Sequence, residues 1–87
     1  MLFFATMREN LSTEKPLKAL IKEAGITQKE LANRLGVSYT AVKFYVSGVN
    51  RPSIDIFADM CRVLDQSPKT VMTALGINTD GIPDDSP

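Results

Sequence analysis

The chain has 87 residues, 44% of them hydrophobic and 23% charged, and its formal net charge is zero. A chain of this length makes one small domain that buries only about 60% of its unfolded surface and is marginally stable alone. Dimerisation would therefore stabilise it. No apolar run approaches the ~18 residues of a membrane span, and the opening MLFFATM is too short, and lacks the basic start, for a secretory signal. The single cysteine makes no internal disulfide framework and favours a reducing, cytoplasmic setting.

The residue types present argue against an enzyme. The chain has no histidine, which is the commonest general base and metal ligand, and it has no phosphate-binding glycine loop and no cysteine pair. Cys61 lies within an apolar helical stripe, which favours a buried structural thiol over a redox or metal role. Asp84 and Asp85 are a weak metal candidate at best. We therefore expect no catalytic residue, no metal and no cofactor.

The zero net charge conceals a strong asymmetry along the chain. Seven basic and two acidic side chains lie between Lys15 and Arg51, a net charge of +5, whereas the residues from Pro52 onward carry −4 and residues 1–14 carry −1. A basic segment favours a polyanionic partner such as nucleic acid. Random clustering of solvated charges gives the same sums, so charge alone leaves both interpretations open.

A first helix is predicted from about Thr13 to Ala24, where apolar residues recur with the i, i+3, i+4, i+7 spacing of one helix face. Pro16 is tolerable in its first turn, and Gly25 ends it. The preceding residues 1–12 form an N-terminal extension without a clear period, which leaves a tail, an added strand and a longer helix as alternatives.

Two short amphipathic helices that meet at a glycine form the centre of the chain. Thr27 and Glu30 have the spacing of a capping box, so a second helix is predicted over about Gln28–Leu35, with Gly36 as its left-handed end. Ser38 caps a third helix only two residues later. Because the connection is about three residues long, the two helices have to cross steeply.

The third helix is predicted to have an inner and an outer half. At about 100° per residue, the inner half carries the residues suited to the core, Ala41, Val42, Tyr45 and Val46. The outer half is free to meet a partner, and its members are Tyr39, Thr40, Lys43 and Phe44.

Two more helices follow the turn at Pro52. Ser53 caps a fourth helix, whose predicted core stripe is Ile54, Phe57, Met60, Cys61 and Leu64. A fifth helix has Ser67 as its cap, Pro68 at its first position and Gly76 as its stop, with an apolar face of Val71, Met72 and Leu75. The prediction is an all-α domain of five helices over residues 13–76. Residues 77–87 are acidic and rich in turn formers, and we predict them to be disordered.

The most specific stretch of the chain is TQKELANRLGVS, with RPS and a further helix downstream. With these motifs, residues 17 to 72 resemble the lambda-repressor-like (Cro/C1-type, XRE) helix-turn-helix domain. The resemblance implies a five-helix fold with its helix-turn-helix at about residues 28–46, whose third helix enters the major groove of double-stranded DNA.

The resemblance also implies roles for individual residues. Those expected to face bases or adjoining phosphates are Ser38, Tyr39, Thr40, Lys43 and Phe44. Those expected to contact phosphate are Gln28, Lys29, Asn50 and Arg51. Lys43 can donate to guanine or lie on phosphate, and Thr40 can donate, accept or offer its methyl group to thymine.

Two outer residues need separate interpretations. Tyr39 is interpreted as a phosphate clamp through its hydroxyl, because first-turn residues lie beside the DNA backbone. For Phe44 two alternatives stay open, a contact with a thymine methyl group and packing against the loop that follows.

Two positions depart from the family pattern. Many relatives pair an arginine on the first helix with a glutamate near the end of the third, where this chain has Ile21 and Val46. Replacing a buried ion pair with packed apolar residues is often neutral or stabilising, so we hypothesise that these two side chains touch. Asp65 stands where relatives often have glycine, at a position that aspartate can occupy with positive φ.

These features predict a sequence-specific transcriptional regulator, with repression by promoter occlusion as the simplest mechanism. It is expected to act as a homodimer on a palindrome with half-sites ~34 Å apart. The dimer surface is expected on the fifth helix, through Met72, Leu75 and Ile77, with the LFFATM opening as the other candidate. The alternative function is a protein-binding module, either an antitoxin that masks a toxin or a helical adaptor, with the acidic tail as its partner-binding arm.

Overall fold

The computed structural model describes residues 15–83. This part of the chain contains no strand and forms five helices, α1 (Leu17–Glu23), α2 (Gln28–Leu35), α3 (Tyr39–Ser47), α4 (Ile54–Leu64) and α5 (Pro68–Ala74). The predicted all-α fold of five helices is therefore confirmed. The extension predicted over residues 1–12, with its LFFATM segment, and the pair Asp84 and Asp85 lie outside the described residues.

Side-chain caps begin four of the five helices. Thr27 Oγ1 accepts a hydrogen bond from the backbone N–H of Glu30 at 3.0 Å, and Glu30 Oε1 accepts from the N–H of Thr27 at 2.9 Å, which completes the capping box. Ser38, Ser53 and Ser67 each accept from the amide three residues on. A cap of this kind typically contributes ~1 kcal/mol. These caps fix the starts of α2, α3, α4 and α5 where the sequence predicted them.

The helix α1 starts later than predicted. Its first residue is Leu17, and Pro16 has extended backbone angles, with φ −69° and ψ 161°, and no side-chain cap. Proline disfavours the helical conformation in the residue before it, so the helix does not continue back through Lys15. The predicted helical conformation of Lys15 and Pro16 is wrong, and Thr13 lies outside the described residues.

The core lies where the five helices meet, and α2 packs most extensively against α3. No polar or charged side chain is buried in residues 15–83. Ile21 is buried, and Val46 packs against the same cluster, as their hypothesised contact requires. Their direct contact stays a prediction. The buried side chains are Leu17, Leu20, Ile21, Leu31, Ala32, Leu35, Val42, Met60, Leu64, Val71 and Leu75.

Two apolar residues differ from their predicted placement. Ile54, predicted in the core stripe of α4, is 79% exposed, while Ile56 packs against the core. The helix geometry explains this, because at 100° per residue Ile54 lies about 120° around the axis from the buried Met60 and Ile56 only about 40°. Conversely, Leu75, expected on a dimer surface, is only 5% exposed and lies in the core, while the dimer surface itself stays a prediction.

The first residue after Gly76 is held against the domain. The amides of Gly76 and Ile77 donate to the carbonyls of Thr73 and Met72, both at 3.0 Å, and Gly76 has a φ of 85°. This is a Schellman motif, which commonly brings the residue after the glycine onto the helix. Ile77 accordingly packs against the core. Ile77 is thus held on the domain, and the disorder predicted for residues 77–87 as a whole stays a prediction.

Gly36 gives a test of the turn that ends α2. Its φ of 71° and ψ of 29° are left-handed, and nothing lies within 4 Å of the place of an added Cβ. We expect Gly36→Ala to lower the free energy of unfolding by about 1–2 kcal/mol through the backbone alone, and Gly36→Asn to lower it less. Urea unfolding followed by circular dichroism measures both variants. Equal losses would contradict a backbone origin.

Candidate nucleic-acid interface

The turn at residues 36–38 sets the position of α3 relative to α2. The N–H of Val37 donates to the carbonyl of Ala32 at 3.0 Å, and that of Gly36 donates to the carbonyl of Asn33 at 3.2 Å. These two bonds end α2 in a Schellman motif, and the capped Ser38 starts α3 at once. Ala32 is only 3% exposed, and α2 packs closely against α3. The turn therefore holds α3 across α2 with one half facing outward.

The two halves of α3 are divided as predicted. In the inner half Val42 is fully buried, Ala41 is half-buried, and Tyr45 and Val46 pack against the core. All four predicted members of the outer half are exposed, namely Tyr39, Thr40, Lys43 and Phe44. This outer half is a continuous exposed face with a hydroxyl, an ammonium and two aromatic rings.

The exposed charges of α2 and α3 are mainly basic. Lys29 and Arg34 on α2 and Lys43 on α3 are exposed, and Glu30 is the single acidic residue of the two helices. The carboxylate of Glu30 is held by the capping box at Thr27. The other acidic side chains of residues 24–83 lie on α4 and beyond it. The face thus has the charge that a polyanion requires.

Tyr39 lies between two lysines at the junction of α2 and α3. The Nζ atom of Lys29 is 5.6 Å from the centroid of the ring, and the Nζ atom of Lys43 is 5.2 Å from it. Each cation–π contact of this kind at an exposed site contributes ~0.5–1 kcal/mol. The ring of Tyr39 therefore holds the ammonium groups of Lys29 from α2 and Lys43 from α3 near each other. The i, i+4 spacing of Tyr39 and Lys43 could have revealed one contact, but the other depends on the crossing of the helices.

The comparisons with known proteins agree with this geometry. A family model described as helix-turn-helix matches residues 17–71, which is more than half of the chain. The chain belongs to the lambda-repressor-like (Cro/C1-type, XRE) helix-turn-helix family. Neither a curated protein nor a solved structure matches it significantly. The family consists of DNA-binding domains rather than enzymes, and it supports a DNA-binding regulator of the XRE type.

Two residues near the start and end of the outer half are partly engaged within this XRE-type domain. Ser38 Oγ accepts a hydrogen bond from the N–H of Ala41 at 3.0 Å. Its hydroxyl hydrogen is still free to be donated to a ligand. Phe44 is 40% exposed, and its carbonyl accepts from the N–H of Val49 at 3.0 Å. The ring of Phe44 is thus an apolar spot on the exposed face.

The expected phosphate contacts divide into two groups. Gln28 is half-buried and Lys29 exposed at the start of α2, and Lys29 approaches Tyr39 of the outer half of α3. Asn50 and Arg51 are exposed in the loop after α3. The Nη2 atom of Arg51 donates to the carbonyl of Gly76 at 3.4 Å, where the C-terminal end of α5 favours a cation. Arg51 thus ties this loop to α5, a contact that sequence reasoning missed because the partner is 25 residues away.

Other chemistry in the described residues is limited. Cys61 is half-buried, and this burial raises the pKa of its thiol above the ordinary value of 9.0. The thiol therefore stays protonated at neutral pH, which makes it a poor nucleophile. Within residues 15–83, no group of three histidine, cysteine, aspartate or glutamate side chains is placed to hold a metal ion. None of the five helices is both long and apolar enough to cross a membrane.

Proposed function

We propose that the protein is a sequence-specific transcriptional repressor that binds a palindromic operator as a homodimer, with α3 in the major groove. The observation that carries this proposal is the exposed outer half of α3 beside a basic, steeply crossing α2. An α-helix fits the major groove, and the hydroxyl, ammonium and apolar groups of this face are those that distinguish base edges there. A bound dimer would occupy promoter DNA and so exclude other proteins from it.

The described geometry supports two separate groups of DNA contacts, one to bases and one to phosphates. Thr40, Lys43 and Phe44 lie on the exposed face of α3 and are assigned to bases, with Ser38 and Tyr39 at its N-terminal end reaching bases or the adjoining phosphates. The phosphate contacts are assigned to Gln28, Lys29, Asn50 and Arg51. Phosphate contacts fix register and base contacts supply specificity, so the two groups are separable by experiment.

The proposal is tested by selecting bound fragments from random double-stranded DNA with the full chain. We expect enrichment of an inverted repeat whose half-sites lie about 10 base pairs, or ~34 Å, apart. Two-fold symmetry of the protein is then read directly from the selected sequence. Failure to enrich any sequence at low salt would overturn the DNA-reading proposal, and enrichment of a single unrepeated site would overturn its dimeric part.

Lys43 is expected to read a base. Lys43→Ala should weaken binding to the selected operator by about 1–3 kcal/mol and relax the preference at one position, because a donor to a base edge is lost. Lys18→Ala removes the same charge from an exposed site on α1 and is the matched control. Fluorescence anisotropy at several salt concentrations measures both. Equal effects of the two substitutions would contradict a special role for α3.

Tyr39 allows its ring and its hydroxyl to be tested separately. Tyr39→Phe keeps a ring between Lys29 and Lys43 and removes the hydroxyl, whereas Tyr39→Leu removes both. If the ring positions the lysines, operator affinity should stay near wild type in the first variant and fall by ~1–2 kcal/mol in the second. Competition binding on one operator gives the comparison. Equal weakening of both would instead support the phosphate clamp inferred from the sequence.

A further inference from the structure

The ring of Phe44 is not covered by the loop that follows α3. The N–H of Val49 donates to the carbonyl of Phe44 at 3.0 Å, in a Schellman motif that commonly brings these two side chains together. Phe44 nevertheless stays 40% exposed and Val49 65% exposed. Packing against this loop is one of the two roles that the sequence left open for Phe44, and it leaves much of the ring available to a ligand.

The backbone at Phe44 is held in place although its ring is exposed. Its carbonyl accepts hydrogen bonds from the N–H groups of Val49 at 3.0 Å and Asn50 at 3.4 Å, and from the hydroxyl of Ser47 at 3.3 Å. These bonds end α3 and fix the point from which the ring projects. A side chain on an ordered backbone loses less conformational freedom on binding than one on a mobile segment.

Thr40 places a second apolar group on the same side of α3. It precedes Phe44 by four residues, and both side chains are exposed. Residues with this spacing are neighbours on one helix face, with Cβ atoms about 5–6 Å apart. The ring of Phe44 and the methyl-bearing side chain of Thr40 therefore lie side by side. We call Thr40 and Phe44 the apolar pair.

The chemistry of base edges determines what the apolar pair can recognise. In the major groove the edges present hydrogen-bond donors and acceptors and one apolar group, the methyl group on C5 of thymine. A phenyl ring set against a purine would take N7 or O6 out of water without supplying a hydrogen bond, which is unfavourable. Set against a C5 methyl group, the ring removes two apolar surfaces from water. The apolar pair is therefore suited to a pyrimidine that carries this methyl group.

We propose that the apolar pair recognises the C5 methyl group of a pyrimidine, and that the recognised bases include 5-methylcytosine as well as thymine. In both bases the methyl group is attached to the same ring carbon and projects into the major groove. The two bases differ at O4 and N4, which an apolar contact with the methyl group does not read. Operator affinity therefore responds to methylation of a cytosine at this position. The inference deepens the proposed function and rests on α3 lying in the major groove.

The first test compares thymine with uracil, which lacks only the methyl group. Each thymine in one half-site of the selected operator is replaced by uracil in turn, and binding of the full chain is measured by fluorescence anisotropy. We expect the replacement at one position to weaken binding about fourfold, which is the effect of one buried methyl group. Phe44→Ala should bind the thymine and uracil operators equally at this position.

The second test uses cytosine at the same position. The T·A pair is replaced by a C·G pair, with and without a methyl group on C5 of the cytosine. These two duplexes differ only in the methyl group, so changes in the other contacts of the base pair cancel. We expect the wild-type chain to bind the methylated duplex about fourfold more tightly and Phe44→Ala to bind both equally.

Tyr39→Leu is the matched control. Tyr39 carries the other exposed ring of α3 and is 42% exposed, close to the 40% of Phe44. Its replacement should weaken binding to the methylated and unmethylated duplexes by the same factor, so that their ratio is unchanged. Circular dichroism confirms that both variants fold. Equal loss of methyl dependence in Tyr39→Leu and Phe44→Ala would overturn the assignment of the contact to the apolar pair.

The remaining outcomes are also decisive. A half-site without thymine, or one in which no uracil replacement weakens binding, would overturn the methyl contact. Equal binding of cytosine and 5-methylcytosine would overturn the response to methylation. Methyl dependence that persists in Phe44→Ala would overturn the role of Phe44. A loss of methyl dependence confined to Phe44→Ala, seen with both pyrimidines, would support the inference.

This inference and the proposed function fail in distinguishable ways. Selection that enriches no DNA sequence would overturn the proposed function and this inference with it. An enriched inverted repeat that the chain binds without regard to C5 methyl groups would overturn this inference alone. The selection and the methyl comparisons thus assign each failure to its own proposal.

Discussion

The short left-handed turn between α2 and α3 is the constraint on which the rest of the structure depends. Gly36 reverses the chain without a side-chain clash, and the caps at Thr27 and Ser38 fix where the flanking helices start. Because the turn is so short, α3 must cross α2 and pack closely against it. That crossing buries Val42 and turns the opposite half of α3 outward. The exposed outer half of α3 is thus a consequence of the turn.

Most of the fold could be predicted because its signals are local in sequence. Capping residues, glycines and apolar spacing are read within a few positions, and they located α2 and the starts of α3, α4 and α5. The left-handed φ of 55° at Asp65 also agrees with the prediction made for that position. Two predictions about the helices were wrong. The start of α1 was placed before Pro16, and Ile54 was placed in the core stripe of α4. Both follow from known rules, proline sterics and the 100° helical period.

The features that could not be predicted depend on residues far apart in the sequence. The contact of Lys29 with Tyr39 needs the crossing of two helices, and the bond from Arg51 to Gly76 joins a loop to the end of α5. Neither leaves a periodic trace in the sequence. The outer half of α3 was predictable because it is the complement of an apolar stripe. The electrostatic arrangement around it was not, since it requires the tertiary structure.

The loop between α3 and α4 fixes the far end of α3. It follows the outer half of α3 directly, and Arg51 within it donates to the carbonyl of Gly76 after α5. A small domain gains little stability from its own core, so a bond between segments 25 residues apart helps to hold the loop in place. The position of α3 therefore depends on a connection at each end, the turn at Gly36 before it and the loop bonded to Gly76 after it.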